Sequence, residues 1–143
     1  MALKFCRIDL SKTNYVQLDN WIYISAPNID QLNYIYKQYC SYKNFESVMP
    51  LFDNHYQNPI VEIIGYQHNN NIVAFSLTTI LDQFNCEGTQ FAWDYKNPEL
   101  KLGIESLKNE CAIYKSRGFK YYYLGTADKY KEQIDGYEVL GTL

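Results

Sequence analysis

Apolar residues recur along the chain at two spacings, and each change of spacing marks a new element. Near the amino end, LKFCRIDL and NWIYISA are short runs rich in aromatic and β-branched residues and predict strands. The period then lengthens. Ile29, Leu32, Ile35, Tyr36 and Tyr39 recur at steps of three and four, which predicts a helix capped by Asn28 and running to about Asn44. ESVMPLFDNHYQN reads as a short, irregular helical stretch broken by Pro50. The middle is β: PIVEIIGY and NIVAFSLTTIL flank QHNNN, whose asparagines suit a tight hairpin turn. A third run, TQFAWDY, follows NCEG, read as a turn, and completes an antiparallel meander.

After KNP comes the clearest helical pattern. Leu100, Ile104, Leu107, Cys111 and Tyr114 form one apolar stripe, with Asn97 as cap, Pro98 in the first turn and Gly118 as the left-handed stop. A helix over 98–117 is predicted. FKYYYLG then reads as a strand. Strand, helix and strand in this order form a crossover that makes TQFAWDY and FKYYYLG parallel neighbours. Three consecutive tyrosines supply bulk and β-propensity, but each hydroxyl needs a partner if buried. That suits the wall of a cleft better than a dry core.

The 143 residues are read as one domain over 1–143, with 47% apolar and 20% charged residues. No run approaches the length of a membrane span, and the first residues lack the apolar core of a secretory signal. Cys6, Cys40, Cys86 and Cys111 are scattered, without paired spacing, and neither His55 nor His68 joins them in a ligand pattern. No metal site is expected. The cysteines are expected to be reduced, in a cytoplasmic protein. The formal net charge is −3, yet residues 96–131 carry eight Lys and Arg against four acids, Glu99, Glu105, Glu110 and Asp128. This region reads either as an attractor for a phosphate-bearing ligand or as a solvated helix face.

The order strand, helix, three-stranded meander, helix, strand resembles the GNAT acyltransferase fold, an α/β (α+β) domain. Its sheet is mixed and mostly antiparallel, with helices on both faces and a parallel pair around the 98–117 helix. Residues 91–125, FAWDYKNPELKLGIESLKNECAIYKSRGFKYYYLG, further resemble the GNAT-like domain of arginyl-tRNA–protein transferases through WDYKNP, LKLG and KYYYLG. The cysteine-rich amino-terminal region of those enzymes is absent from this sequence. The pyrophosphate-binding turn of GNAT acetyltransferases is altered as well: aligned on Gly103 it reads PELKLG, with Lys101 in place of the first glycine.

The resemblance implies an N-acyltransferase that moves an acyl group, from acetyl-CoA or another acyl-CoA, to a small-molecule or peptide amine. The donor would contact Trp93, Tyr95, Lys101, Leu102, Gly103 and Ile104, where a strand end meets a helix amino terminus whose N–H groups can face an anion. Asp94, at the strand exit, is the candidate base, and Tyr130 the candidate acid for the leaving thiolate. A non-catalytic binding domain is the alternative. A third reading takes the acyl group from aminoacyl-tRNA, and it is not favoured because no extended RNA surface is evident. The tail GYEVLGTL is expected to form one brief strand covering the edge left by YYYLG, in its own chain or across a homodimer.

Overall fold

Seven strands form one sheet in the order β2-β3-β4-β5-β6-β1-β7 in a computed structural model that describes residues 4–43, 56–93 and 102–142. The strands are β1 (Lys4–Asp9), β2 (Trp21–Tyr23), β3 (Val61–His68), β4 (Asn71–Ile80), β5 (Asn85–Trp93), β6 (Tyr121–Thr126) and β7 (Tyr137–Thr142). Two helices, α1 (Ile29–Lys43) and α2 (Leu102–Ser116), accompany short 3-10 turns at Leu10–Lys12 and Lys129–Gln133. All neighbours are antiparallel except β5 and β6. The expected irregular stretch around Pro50 lies outside the described residues except at its end, where Tyr56 and Gln57 are helical, and the expected Asn97–Pro98 helix start lies outside them as well.

Local chemistry explains the joints. Asn28 Oδ1 accepts from the amide of Gln31 at 3.1 Å, so it caps α1 as expected. Asn69 and Asn70 both have positive φ (52° and 66°), the backbone of a primed hairpin turn between β3 and β4. At the end of α2, Gly118 has φ 89°, and the amides of Gly118 and Phe119 bond back to the carbonyls of Lys115 and Tyr114.

The two helices cover opposite faces. Leu32, Ile35 and Tyr36 of α1 pack with Ile63, Phe75, Leu77 and Ala92. Leu107, Cys111, Ile113 and Tyr114 of α2 pack with Ile64, Tyr66, Ala74 and Tyr122 on the other side. Strand alternation sorts the residues: Ile63 and Ile64, or Ala74 and Phe75, are neighbours in sequence and belong to different cores.

Three expectations change. NCEG is not a turn. β5 begins at Asn85, and the turn is the preceding Leu81–Phe84, organised by Asp82 Oδ1, which accepts from the amides of Phe84 and Asn85 at 2.8 Å each. The tail does form a strand, β7, but it pairs with β1; β1 itself lies between β6 and β7 and closes the far edge of β6. The amino-terminal strand, remote in sequence, occupies the place that the tail was expected to fill. Finally, the 121–123 strand is buried on one face only. Tyr122 points into the α2 core, whereas Tyr121 and Tyr123 are half-buried on the opposite face beside Arg7, whose guanidinium lies 3.8 Å from the centre of the Tyr121 ring.

Candidate site in the opening between the parallel strands

β5 and β6 pair over only three residues, Asn85 with Tyr121, Cys86 with Tyr122 and Glu87 with Tyr123. From Gly88 onward β5 is held by β4 alone, while β6 stays with β1, so the two strands part. An irregularity sits on each side of the fork. Thr89 has no opposite number on β4, and Leu124 has none on β1. Such bulges bend a strand and raise its twist, which is what drives neighbouring strands apart.

The fork encloses a cavity of about 280 Å³. Its β5 wall is Gly88–Phe91, and its β6 wall is Tyr122 and Leu124. Gly103, Ser106, Leu107 and Glu110 of α2 reach it from one face of the sheet, and Tyr39 of α1 lines it as well. Tyr130 and Lys131, from the turn after β6, complete it. The cavity therefore passes between the strands, from the α2 side toward the α1 side.

Glu110 is its most unusual wall residue, a carboxylate only 3% exposed. Tyr66 and Ser76 hydroxyls each donate to Oε2 at 2.6 Å, and the Tyr122 hydroxyl donates to Oε1 at 2.7 Å. Asn109 Nδ2 donates to the Tyr66 hydroxyl at 3.2 Å, while Asn109 Oδ1 accepts from the Leu18 amide at 2.7 Å and ties the network to the loop before β2. Burial raises the Glu110 carboxyl above its usual value, against the pull of the three hydroxyls. Burial, with the Glu110 charge beside them, also holds the Tyr66 and Tyr122 phenols well above 10, so both remain donors.

Gly88 makes this geometry possible. A Cβ there would lie 2.8 Å from Tyr122 Cε1 and 2.9 Å from its hydroxyl, so only glycine lets the ring lie flat against β5 and still reach Glu110. Lys131 is buried and fully engaged: Nζ donates to the carbonyls of Leu124 (2.8 Å) and Thr126 (2.7 Å) and pairs with Asp128 Oδ2 (2.9 Å). An ammonium has three N–H groups, so Lys131 has none left to neutralise Glu110.

The structure gathers two of the residues named from sequence, Gly103 and Tyr130, at this cavity. A Cβ at Gly103 would meet nothing within 4 Å. Tyr130 is 50% exposed, and burial of the rest pushes its phenol up to about 12, with Tyr39 adding to the effect. Leu102 is in the core, Ile104 packs partly against it, and so does Trp93, whose ring meets that of Tyr42 edge-on at 6.1 Å. Asp94, Tyr95 and Lys101 lie outside the described residues.

Among the described residues the basic region does not form one patch. Arg117 is locked to Glu62 through two bonds of 2.6 and 2.9 Å, Lys115 Nζ donates to the Thr13 carbonyl, and Lys120 lies over the Phe84 ring. These sit at the carboxyl end of α2 or just beyond it, about 20 Å from Gly103 at 1.5 Å per residue, whereas Lys131 is internal. Glu110 carries no sequence signal as a site, being one of four acids in the basic region. The available clue was its setting: Asn109, Glu110 and Cys111 through Tyr114 are all buried, so α2 is enclosed on more than its apolar stripe. Among the described residues no group of three or more His, Cys, Asp or Glu could hold a metal, and no helix is long and apolar enough to cross a membrane.

No protein-family model matches the chain, and no curated protein matches it by sequence. Solved structures do match. L-PGS from Bacillus licheniformis superposes with a TM-score of 0.68 at 11% identity, over 87% of this chain and 46% of that one. A protein assigned to the GNAT acetyltransferases from Novosphingobium aromaticivorans gives 0.68 at 10% identity, over 97% and 60%. Saccharomyces cerevisiae N-myristoyltransferase with bound myristoyl-CoA and inhibitors gives 0.66 at 12%, over 96% and 49%. The chain thus spans roughly half the length of these structures. At such identities the likeness is one of fold, and together with the seven-stranded sheet, its single parallel pair and a helix on each face it shows that this chain has the GNAT fold.

Proposed function

We propose that the protein is an N-acyltransferase that moves an acyl group from acyl-CoA to an amine in the opening between β5 and β6. The observation that carries this reading is the one-sided edge of β5 beyond Glu87, facing a cavity that also receives the first turn of α2. Backbone groups that no strand claims can bind the amide-containing arm of a CoA thioester, and the first helical turn presents N–H groups to its phosphates. The structural neighbour with bound myristoyl-CoA supports a thioester donor for this fold.

The reaction needs little beyond this. The acceptor's ammonium loses a proton, and its nitrogen attacks the thioester carbonyl. The C–N bond forms and the C–S bond breaks. Tyr130, kept protonated by its raised value, gives its proton to the departing thiolate and regains one from the nitrogen of the new amide. Asp94, one residue past β5, is the base that the sequence suggests.

Calorimetry with acetyl-CoA, beside an aminoacyl-adenosine analogue, tests the donor. Gly103→Glu places a carboxylate in the open space at the α2 terminus. It should abolish acetyl-CoA binding while stability changes by less than about 2 kcal/mol. Equal affinity in wild type and variant would exclude this turn, and binding of the adenosine analogue alone would move the donor to aminoacyl-tRNA.

A further inference from the structure

We propose that Glu110 receives the acceptor's ammonium in the cavity and takes its proton; the inference rests on the acyl-transfer reading and names the group that recognises the amine. Several observations converge on it. Glu110 lines the cavity, yet among the described residues no cation is paired with it. A buried carboxylate answered only by hydroxyls is costly to keep unless a positive ligand completes it. Among the described residues the ammonium that lines the cavity, on Lys131, is consumed by two carbonyls and Asp128.

The geometry also leaves a place for the ligand. Among the described residues Oε2 already accepts from two hydroxyls, whereas Oε1 accepts from Tyr122 alone. A carboxylate oxygen has room for two donors, so one position remains on Oε1, beside the Tyr122 ring that also lines the cavity. Tyr66, Ser76 and Tyr122 come from β3, β4 and β6, so the carboxylate is fixed by three strands and cannot swing away.

Position also sets an acid beside this base. Glu110 and Tyr130 line one cavity, so a base and an acid face the same reacting atoms. A base must lie within hydrogen-bond reach of the proton it takes. The balance is simple: an N–H bond of the ammonium breaks, an O–H bond forms on Glu110, and the freed lone pair makes the C–N bond.

The test uses n-butylammonium chloride as the amine probe and 1-butanol as its neutral counterpart, titrated by amide-resolved NMR into wild type and Glu110→Gln. Acetyl-CoA is supplied in a separate arm, with N-butylacetamide measured by mass spectrometry. Wild type should prefer the ammonium to the alcohol, with shifts at Gly88 and Tyr122. Glu110→Gln should bind the ammonium at least tenfold more weakly, keep its affinity for the alcohol, and form product at least about a hundredfold more slowly. Equal ammonium affinity in both proteins, or loss of product in Asp94→Asn but not in Glu110→Gln, overturns the proposal. If Glu110→Gln does not fold, Glu110→Asp keeps the charge and should still prefer ammonium to alcohol; loss of that preference overturns it too. A wild type that prefers ammonium but neither binds nor consumes acetyl-CoA would refute the acyl-CoA reading and leave the ammonium site standing.

Discussion

Replacing Gly88 with alanine perturbs the site through a single methyl group, and its cost follows from three distances. The new Cβ would stand 2.8 Å from Tyr122 Cε1, 2.9 Å from its hydroxyl and 3.2 Å from Cζ. The ring has nowhere to retreat. It is 1% exposed, lies edge-on to Tyr114 at 5.7 Å, and is tethered to Glu110 at 2.7 Å. Overpacking a close-packed site costs about 1–3 kcal/mol. A lost hydrogen bond to a charged acceptor adds about 1.5–3 kcal/mol, and the stiffer unfolded chain returns at most about 1 kcal/mol. The net expectation is a loss of about 2–5 kcal/mol, a large part of an ordinary domain's stability. Urea unfolding followed by tryptophan fluorescence measures it: the midpoint should fall with an unchanged m value. Tyr122→Phe supplies the second edge of a double-mutant cycle. Without the hydroxyl, one of the two shortest contacts and the bond to Glu110 are gone, so Gly88→Ala should cost about 1–2 kcal/mol less in that background. A Gly88→Ala protein within about 0.5 kcal/mol of wild type would show that the Tyr122 ring is not pressed against β5, and the cradle around Glu110 would lose its support.

Leu107→Ala should cost about 2–5 kcal/mol in the same unfolding assay, toward the lower end because Leu107 borders the cavity; a change under about half a kcal/mol would mean the α2 face is misassigned. In native protein, thiol reagents should label half-buried Cys40 well before Cys6, Cys86 and Cys111, which the core shields from reagent, and uniform labelling read by mass spectrometry would contradict the core. Deleting residues 136–143 should release amide-exchange protection along β1 while Tyr121–Leu124 stay protected; the reverse pattern would contradict the strand order. The Glu110 carboxyl has a folded value raised above 4.5, so it favours the fold below 4.5 and loses that contribution as pH rises through the raised value. The stability of Glu110→Gln relative to wild type should therefore improve as pH increases across that window, and the opposite slope in paired denaturation curves would show a carboxylate that the fold welcomes as an anion.

Much of this architecture is local, and local chemistry is written in short stretches. Asn28 before a three-four apolar rhythm, two asparagines between β-branched runs, and Gly118 after Arg117 determine a cap, a hairpin and a helix stop without help from the rest of the chain. The parallel pairing of β5 with β6 also follows from order alone, because a helix between two strands returns the chain in the same direction. What sequence could not decide was which remote segment fills which edge. The amino-terminal strand rather than the tail lies beside β6, since antiparallel pairing is equally open to either and only the whole sheet selects between them. NCEG reads as a turn along the chain; in the sheet its glycine, Gly88, instead makes room for a ring thirty-four residues away. Glu110 shows the limit most clearly. Read along the chain its charge is one of four acids in a basic region, and three hydroxyls from three strands, none adjacent in sequence, turn it into the polar end of a cavity. A carboxylate's solvation is set by what surrounds it in space, and that is decided only when the sheet closes over α2.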